Sequence, residues 1–476
     1  MTSLNESFDT IVVGSGFASS FFLREYLRKA SPETRVLVLE KGKKLPYSWK
    51  VKNQKSSDFD FMKAVVNLTP QKPWIQNIAF GGGSCWTGTT PRPHPSDFEM
   101  NTRYGVSEDW PFGYDELEPY LTEVEWAMAV AGTDDGPFPR SRPYPAPPHT
   151  MNSFDEVIAK KYPGEHIIMP SARATTPAAG RALCCSNGIC SNCPIGAKFQ
   201  VDLHMLDPYQ DPRVTLLLEA SVDRLGIEAN QVREVYYTKD GQQRTARCDL
   251  AVVGAHAIFS PYILLRSGLD DRALGRYLHE QYSVSVQLNL DGLDSLDGSQ
   301  QVTGLGVMFH DRIDRTKQAT CNIETWNVPW LRAERGRWRQ RALIKLIFED
   351  LPRYENYVGV SSEDESKPEL YYPRRSDYAQ AGIDSAPRLV EELIDGLPVE
   401  DYVVIDEDSL GSSAHVQGTT RMGIDPDSSV VDPNMVHHKV RNLLVLGSGA
   451  FPSCPAANPT LILSALSIRA ARKLMA

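Results

Sequence analysis

Four groups of residues in this 476-residue chain have types and spacings suited to chemistry. His415 opens His-Val-Gln-Gly-Thr-Thr-Arg, and Asn458-Pro459-Thr460 follows 43 residues later. An imidazole, with an ordinary pKa of roughly 6.5, is suited to taking a proton near neutral pH. Each also has a plainer reading. A lone histidine is commonly a satisfied structural one, and Asn before Pro is a helix N-cap with proline at the first helical position. At the other end of the chain stand Gly14-Ser15-Gly16 and, 24 residues after Gly16, Glu40. A Gly-x-Gly turn opening a helix lets backbone amides approach a pyrophosphate, and a carboxylate ending the next strand can bind a ribose diol. Ser19 holds the third glycine position, so this fingerprint alone does not decide between NAD and FAD.

The third group is Phe80-Gly81-Gly82-Gly83-Ser84-Cys85-Trp86-Thr87-Gly88-Thr89-Thr90-Pro91-Arg92. Three successive glycines remove side chains where a backbone passes close to something flat or charged. A flavin ring calls for such a loop, whereas a nicotinamide enzyme has no standard need of one. The fourth is Cys184, Cys185, Cys190 and Cys193, four of the eight cysteines within ten residues. Four thiols so close, ending Cys-x-x-Cys-Pro, read as an iron–sulfur ligand loop, a zinc site or structural thiols.

The elements that must carry these groups follow from hydrophobic period and punctuation. Residues 8–13 form an apolar, β-branched strand, 17–29 a helix and 35–39 a second strand, with Ser31-Pro32 between them: a βαβ unit. Residues 70–148 are rich in Gly, Pro and aromatics and wrap a site, interrupted by a helix over 114–130. Strands are expected over 214–225, 232–238 and 249–253, then a helix over 258–267. Residues 283–291 alternate polar and apolar, the mark of a half-buried antiparallel strand. More strands and Arg-rich helical pieces follow to about Asp408, then an apolar strand at 443–446 and a final helix.

The length calls for two or three lobes. The apolar fraction of 41%, charged fraction of 23% and net charge of −10 suit a globular enzyme and give no basic footprint for nucleic acid. No apolar run is long enough to cross a bilayer, and the first ten residues lack a secretory pattern, so a cytoplasmic location is expected.

Together these segments, with Gly254-Ala255-His256-Ala257-Ile258-Phe259-Ser260-Pro261, resemble the glucose–methanol–choline (GMC) oxidoreductases over nearly the whole chain. The Thr-Thr-Pro-Arg after Trp86, the Gly447-Ser448-Gly449 turn and Ala457-Asn458-Pro459-Thr460-Leu461 are similar to the pyranose oxidase and bacterial sugar dehydrogenase branches. The resemblance implies an α/β Rossmann-like FAD-binding domain and a substrate domain built on an antiparallel sheet. Their boundaries fall at 1–90, 200–282 and 411–476 for the first, and at 91–199 and 283–410 for the second. It implies that His415 takes a hydroxyl proton as hydride passes to flavin N5, with Asn458 bound to the same oxygen. FAD contacts are implied for Gly14, Gly16, Ser19, Glu40, Gly82, Gly83, Ser84, Trp86, Val222, Gly254, Ala255, Gly449, Ala450, Pro459 and Thr460. The substrate would be a sugar, polyol or other alcohol, and the electron acceptor oxygen, a quinone or a protein partner. Some relatives carry a three-iron cluster on a comparable loop, whose last spacing is Cys-x-x-x-Cys where this chain has Cys-x-x-Cys. Others attach FAD through a histidine where this chain has Cys85, and Gly447 stands where many have an acidic residue. The same fold also hosts hydroxynitrile lyases, which perform no net oxidation.

Overall fold

The computed structural model describes residues 6–70, 72, 74–76, 78–177, 180–186, 188, 190–405 and 412–476. The expected lobe boundary at 410–411, Asp408, and Asn187 and Ile189 of the cysteine-rich segment lie outside these.

The N-terminal strand β1 (Glu6–Val13) buries Ile11, Val12 and Val13 because it lies inside a sheet covered on both faces. It pairs in parallel with β2 (Val36–Leu39), through Val12 and Val38, and with the strand Gln242–Val253, through Val12 and Val252. Between β1 and β2 runs helix α1 (Phe17–Lys29), which presents Phe21, Phe22 and Leu23 to the core. Strand Val214–Leu217 extends the sheet beyond β2. Gln242–Val253 forks. Its first half pairs antiparallel with Gln231–Lys239, and its last three residues pair in parallel with Leu443–Val445. The carboxyl ends of four strands therefore converge on Gly14, Glu40, Gly254 and Gly447. In open α/β sheets that crevice is where a nucleotide binds.

Two expectations need correction. Residues 214–225 form two strands, not one: Glu219 turns the chain at φ +55°, so Val214–Leu217 joins β2 while Ala220–Glu228 enters the antiparallel hairpin. The Arg-rich stretch at 332–340 is a loop, because Arg332 and Arg337 reach Glu400 instead of lying along a helix. Helices in this part of the chain are Asp377–Asp384 and Ala386–Ile394.

A six-stranded antiparallel sheet forms the second layer, in the order Val399–Ile405, Tyr282–Leu290, Arg341–Phe348, Cys321–Trp326, Val302–Gly306, His166–Ile168. Along Tyr282–Leu290 every second residue is buried, from Tyr282 to Leu290, as the alternation predicts. A small third sheet joins Val66–Asn67 to Pro368–Tyr371 and Tyr357–Val360. The C-terminal helix Pro459–Leu474 packs on α1 and on Tyr114–Ala127, and Arg472 bonds to Glu25 of the one and Glu123 of the other. Among the described residues no helix is long and apolar enough to cross a membrane.

Candidate active site

A cavity of about 2060 Å³ runs from the turn after β1 to His415 and Asn458. Pockets for one drug-sized ligand are roughly 300–1,000 Å³, so this one has room for a large cofactor and a substrate together. Gly14 adopts φ +92°, and a Cβ there would lie 2.6 Å from the Gly254 carbonyl oxygen, so only glycine fits between the two strand ends. Gly16 and Gly82 differ: a Cβ on either would meet no protein atom within 4 Å, because both face the cavity. Nδ1 of His256 and Nε1 of Trp74, on residues of its wall, have no partner among the described residues. These features fit an extended dinucleotide laid over the strand ends.

Glu40 lines the same cavity, but its carboxylate already serves the protein. Oε2 accepts from the backbone N–H and hydroxyl of Ser15 (3.0 and 2.6 Å), and Oε1 from Gly42 and Ala79 (2.7 and 3.0 Å). Ser15 Oγ in turn accepts from Phe80 N–H at 2.9 Å. Glu40 therefore braces the first glycine turn against the second glycine loop, a role with no mark in the sequence.

Trp86, Val222, Ala255, Pro459 and Thr460 also line the cavity. Ser19, Gly83, Gly449 and Ala450 do not, and packing explains three of them. The Ser19 hydroxyl sits 2.3 Å from where a Gly254 Cβ would be, so it closes the helix–strand contact that the third glycine position serves. Gly83 is pressed on Val201 and Gly449 on Thr420, while Gly447 and Ser448 reach the cavity in place of Gly449 and Ala450. Ser84 ends the 3₁₀ turn Gly81–Ser84. Cys85 is on the wall, and burial pushes its thiol up, so it stays a neutral thiol.

At the far end His415 is half-buried, its imidazole pushed down to about 4 by burial, against the opposing charge of Glu280. Its Nδ1 lies 2.6 Å from Gln281 Oε1, and its backbone N–H donates to Glu280 Oε1 at 3.0 Å. Glu280 is held by Ser412 (2.7 Å) and by the buried Lys72 (2.5 Å). Asn458 occupies the N-cap position of the last helix but makes no side-chain cap bond. Its amide stands 3.5 Å from His415 Nε2 and hydrogen-bonds the buried Glu324. Burial pushes the Glu324 carboxyl up, opposed by hydrogen bonds from Trp326 and Asn458. The simple capping reading of Asn458 is therefore set aside. Glu280, Gln281, Lys72 and Glu324 were missed because no motif marks them.

The cysteines do not form the ligand set their spacing suggested. Cys184 points its thiol at the Ser299 carbonyl (3.6 Å), Cys185 is exposed, and Cys190 and Cys193 are buried. No group of three His, Cys, Asp or Glu among the described residues could hold a metal ion. An iron–sulfur cluster does not fit this arrangement. What the loop does is pack. Lys198, buried and pushed down to about 8, donates to the carbonyls of Ser191 (2.7 Å) and Trp86 (2.5 Å). That clamp brings Ser191 and Asn192 onto the wall of the cavity.

The glycine-lined cavity at the strand ends runs without a break to the His415–Asn458 pair, an arrangement with the fold of a cofactor-dependent enzyme. Models of the two GMC oxidoreductase domains match residues 8–283 and 327–467, and the chain belongs to that family. It is 24% identical to the fructose dehydrogenase large subunit of Gluconobacter japonicus, over 99% of this chain and 98% of that one. It is 26% identical to paromamine 6'-oxidase of Streptomyces fradiae, over 98% and 90%. Among solved structures it resembles pyridoxine 4-oxidase from Mesorbium loti, at TM-score 0.70 and 17% identity over 98% and 99% of the two chains. That last likeness speaks for the fold.

Proposed function

We propose that this protein is an FAD-dependent oxidoreductase of the CH–OH group of a sugar or polyol, with His415 as the general base. The carrying observation is that Nε2 of His415 and the amide of Asn458 stand 3.5 Å apart on the cavity that begins at Gly14 and Gly16. Gly14, Gly16, Gly82, Gly254 and Thr460 would hold the cofactor, and the N-terminus of the last helix points its partial positive charge into the same cavity. Bound FAD supplies the acceptor for the carbon-bound hydride.

The rest is the work of the chain. A substrate hydroxyl between the two side chains donates its hydrogen bond to His415 Nε2 and accepts one from Asn458 Nδ2. The neutral imidazole takes the hydroxyl proton as negative charge grows on the oxygen, and the asparagine amide stabilises that charge. Glu280 anchors the His415 backbone, and Glu324 holds the amide of Asn458. The names of the relatives, a fructose dehydrogenase large subunit and a paromamine 6'-oxidase, favour a polyhydroxylated substrate. All strands of the first sheet come from 1–90, 200–282 and 411–476, which supports assigning those segments to the cofactor lobe.

The test is anaerobic mixing of the yellow holoenzyme with a panel of sugars and polyols, followed by absorbance, with metal analysis of the same sample. Bleaching by a polyol, lost in His415→Ala with flavin still bound, is expected. No bleaching with any alcohol, together with cleavage of a cyanohydrin, would establish a lyase instead. Peroxide formation on readmitting air separates an oxidase from a dehydrogenase that uses a quinone or a protein.

A further inference from the structure

The tautomer of a catalytic imidazole decides which nitrogen carries the lone pair. The side chain that meets His415 Nδ1 lies outside every motif. Gln281 is fully buried at the start of the strand Tyr282–Leu290. Its Nε2 donates to two backbone carbonyls, Pro455 at 2.5 Å and Ala457 at 2.7 Å. A primary amide has two N–H hydrogens, and both are used. Turning the amide over would set its oxygen against two carbonyl oxygens, so one orientation survives. Oε1, which only accepts, is then the atom 2.6 Å from His415 Nδ1.

We propose that Gln281 is a positioning residue that locks His415 as the Nδ1–H tautomer, leaving the Nε2 lone pair to face Asn458 and the substrate. The proposal rests on the reading of His415 as the base, and adds how its geometry is fixed. Ala457 directly precedes Asn458 and Pro455 stands two residues before Ala457, so one amide sets the positions of both members of the pair. The charged groups around the imidazole leave this lock in control. Glu280, on the same strand end, spends one oxygen on the His415 backbone and the other on Lys72. Glu324, on the strand Cys321–Trp326, is engaged by Trp326 Nε1 and by the Asn458 amide. Burial keeps the imidazole neutral, so one ring nitrogen carries the proton, and the Gln281 carbonyl oxygen facing Nδ1 selects which.

The experiment uses holoenzyme labelled with ¹⁵N-histidine, in wild type, Gln281→Met and Gln281→Leu, with His415→Gln to assign the resonance. Nitrogen shifts separate Nδ1–H from Nε2–H. The expected result is Nδ1–H in wild type and a shift toward Nε2–H or mixed tautomers in Gln281→Met, an apolar side chain of similar length. In Gln281→Met the rate of flavin reduction should fall by up to roughly 10²–10⁴-fold, the contribution of a correctly placed base. A wild-type signal showing Nε2–H would overturn the lock, as would an unchanged tautomer in both variants. The wild-type measurement stands even if neither variant folds. Because the tautomer is read without turnover, a correct tautomer in a protein that bleaches with no alcohol would refute the proposed function and leave the lock intact.

Discussion

Asn458 shows how much one missing hydrogen bond can say. An asparagine at a helix start normally spends its oxygen on the first turn's N–H groups, which stabilises the helix by about 0.5–2 kcal/mol. Here that bond is absent and the amide is held by Glu324 beside His415, so helix stability has been given up for a donor in the cavity. Asn458→Ala should therefore slow flavin reduction by roughly 10²–10³-fold, the usual cost of one donor to a developing oxyanion, while the thermal midpoint stays nearly unchanged. Stopped-flow absorbance and a melting curve on the same sample check both halves. For His415, burial lowers the pKa to about 4, and only the unprotonated ring accepts a proton. kcat/KM should stay level from neutral pH down to about pH 5 and fall as pH drops through 4; a limb near 6.5 would contradict the buried-base geometry. His415 and Asn458 were legible because their types and order are distinctive. Gln281, Glu280 and Lys72 were not, since their value comes from a sheet that brings distant residues to one point.

At the scale of elements, the two glycines of the first turn do different work. Gly14 is bound by φ +92° and by the Gly254 carbonyl, whereas Gly16 has ordinary φ and open space. Gly14→Ala should thus lower stability of the protein even without flavin. Gly16→Val should leave the fold intact and abolish flavin retention, since its side chain fills the cavity. Circular dichroism and flavin absorbance after gel filtration distinguish the two; equal loss of fold in both would refute the assignment. The βαβ unit and the alternating strand were readable because period and length agreed there. The split at Glu219 was not, because one residue with positive φ after the run Leu216-Leu217-Leu218 leaves no pattern. Cysteine spacing left ligand loop and structural thiols both open for a related reason: it gives separation along the chain and nothing about where each thiol points.

For the whole molecule, the cavity lies between segments far apart in sequence, and buried ion pairs hold its outer wall. Arg92, 1% exposed, bonds Glu125 through two parallel contacts of 2.8 Å and Glu118 at 2.9 Å, fixing the second glycine loop to the helix Tyr114–Ala127. A ligand that binds only this folded arrangement stabilises it by mass action, about 2.7 kcal/mol at 100 times its Kd. FAD added to flavin-stripped protein should raise the melting temperature with concentration, and Gly16→Val should show no such rise. Differential scanning fluorimetry read away from flavin emission decides it.

The fork in the strand Gln242–Val253 also sets the order of events at the ribosome. β1 presents Ile11, Val12 and Val13 early, but its partner on one side arrives only when Val252 has been made. At synthesis rates of about 5–20 residues per second, that edge stays open for on the order of ten to fifty seconds. Leu443–Val445 and the helix carrying Asn458 come later still. During that interval β1, which will carry one end of the crevice, is an unpaired apolar strand edge, the kind of surface that holdase chaperones cover and that seeds aggregation when they are scarce.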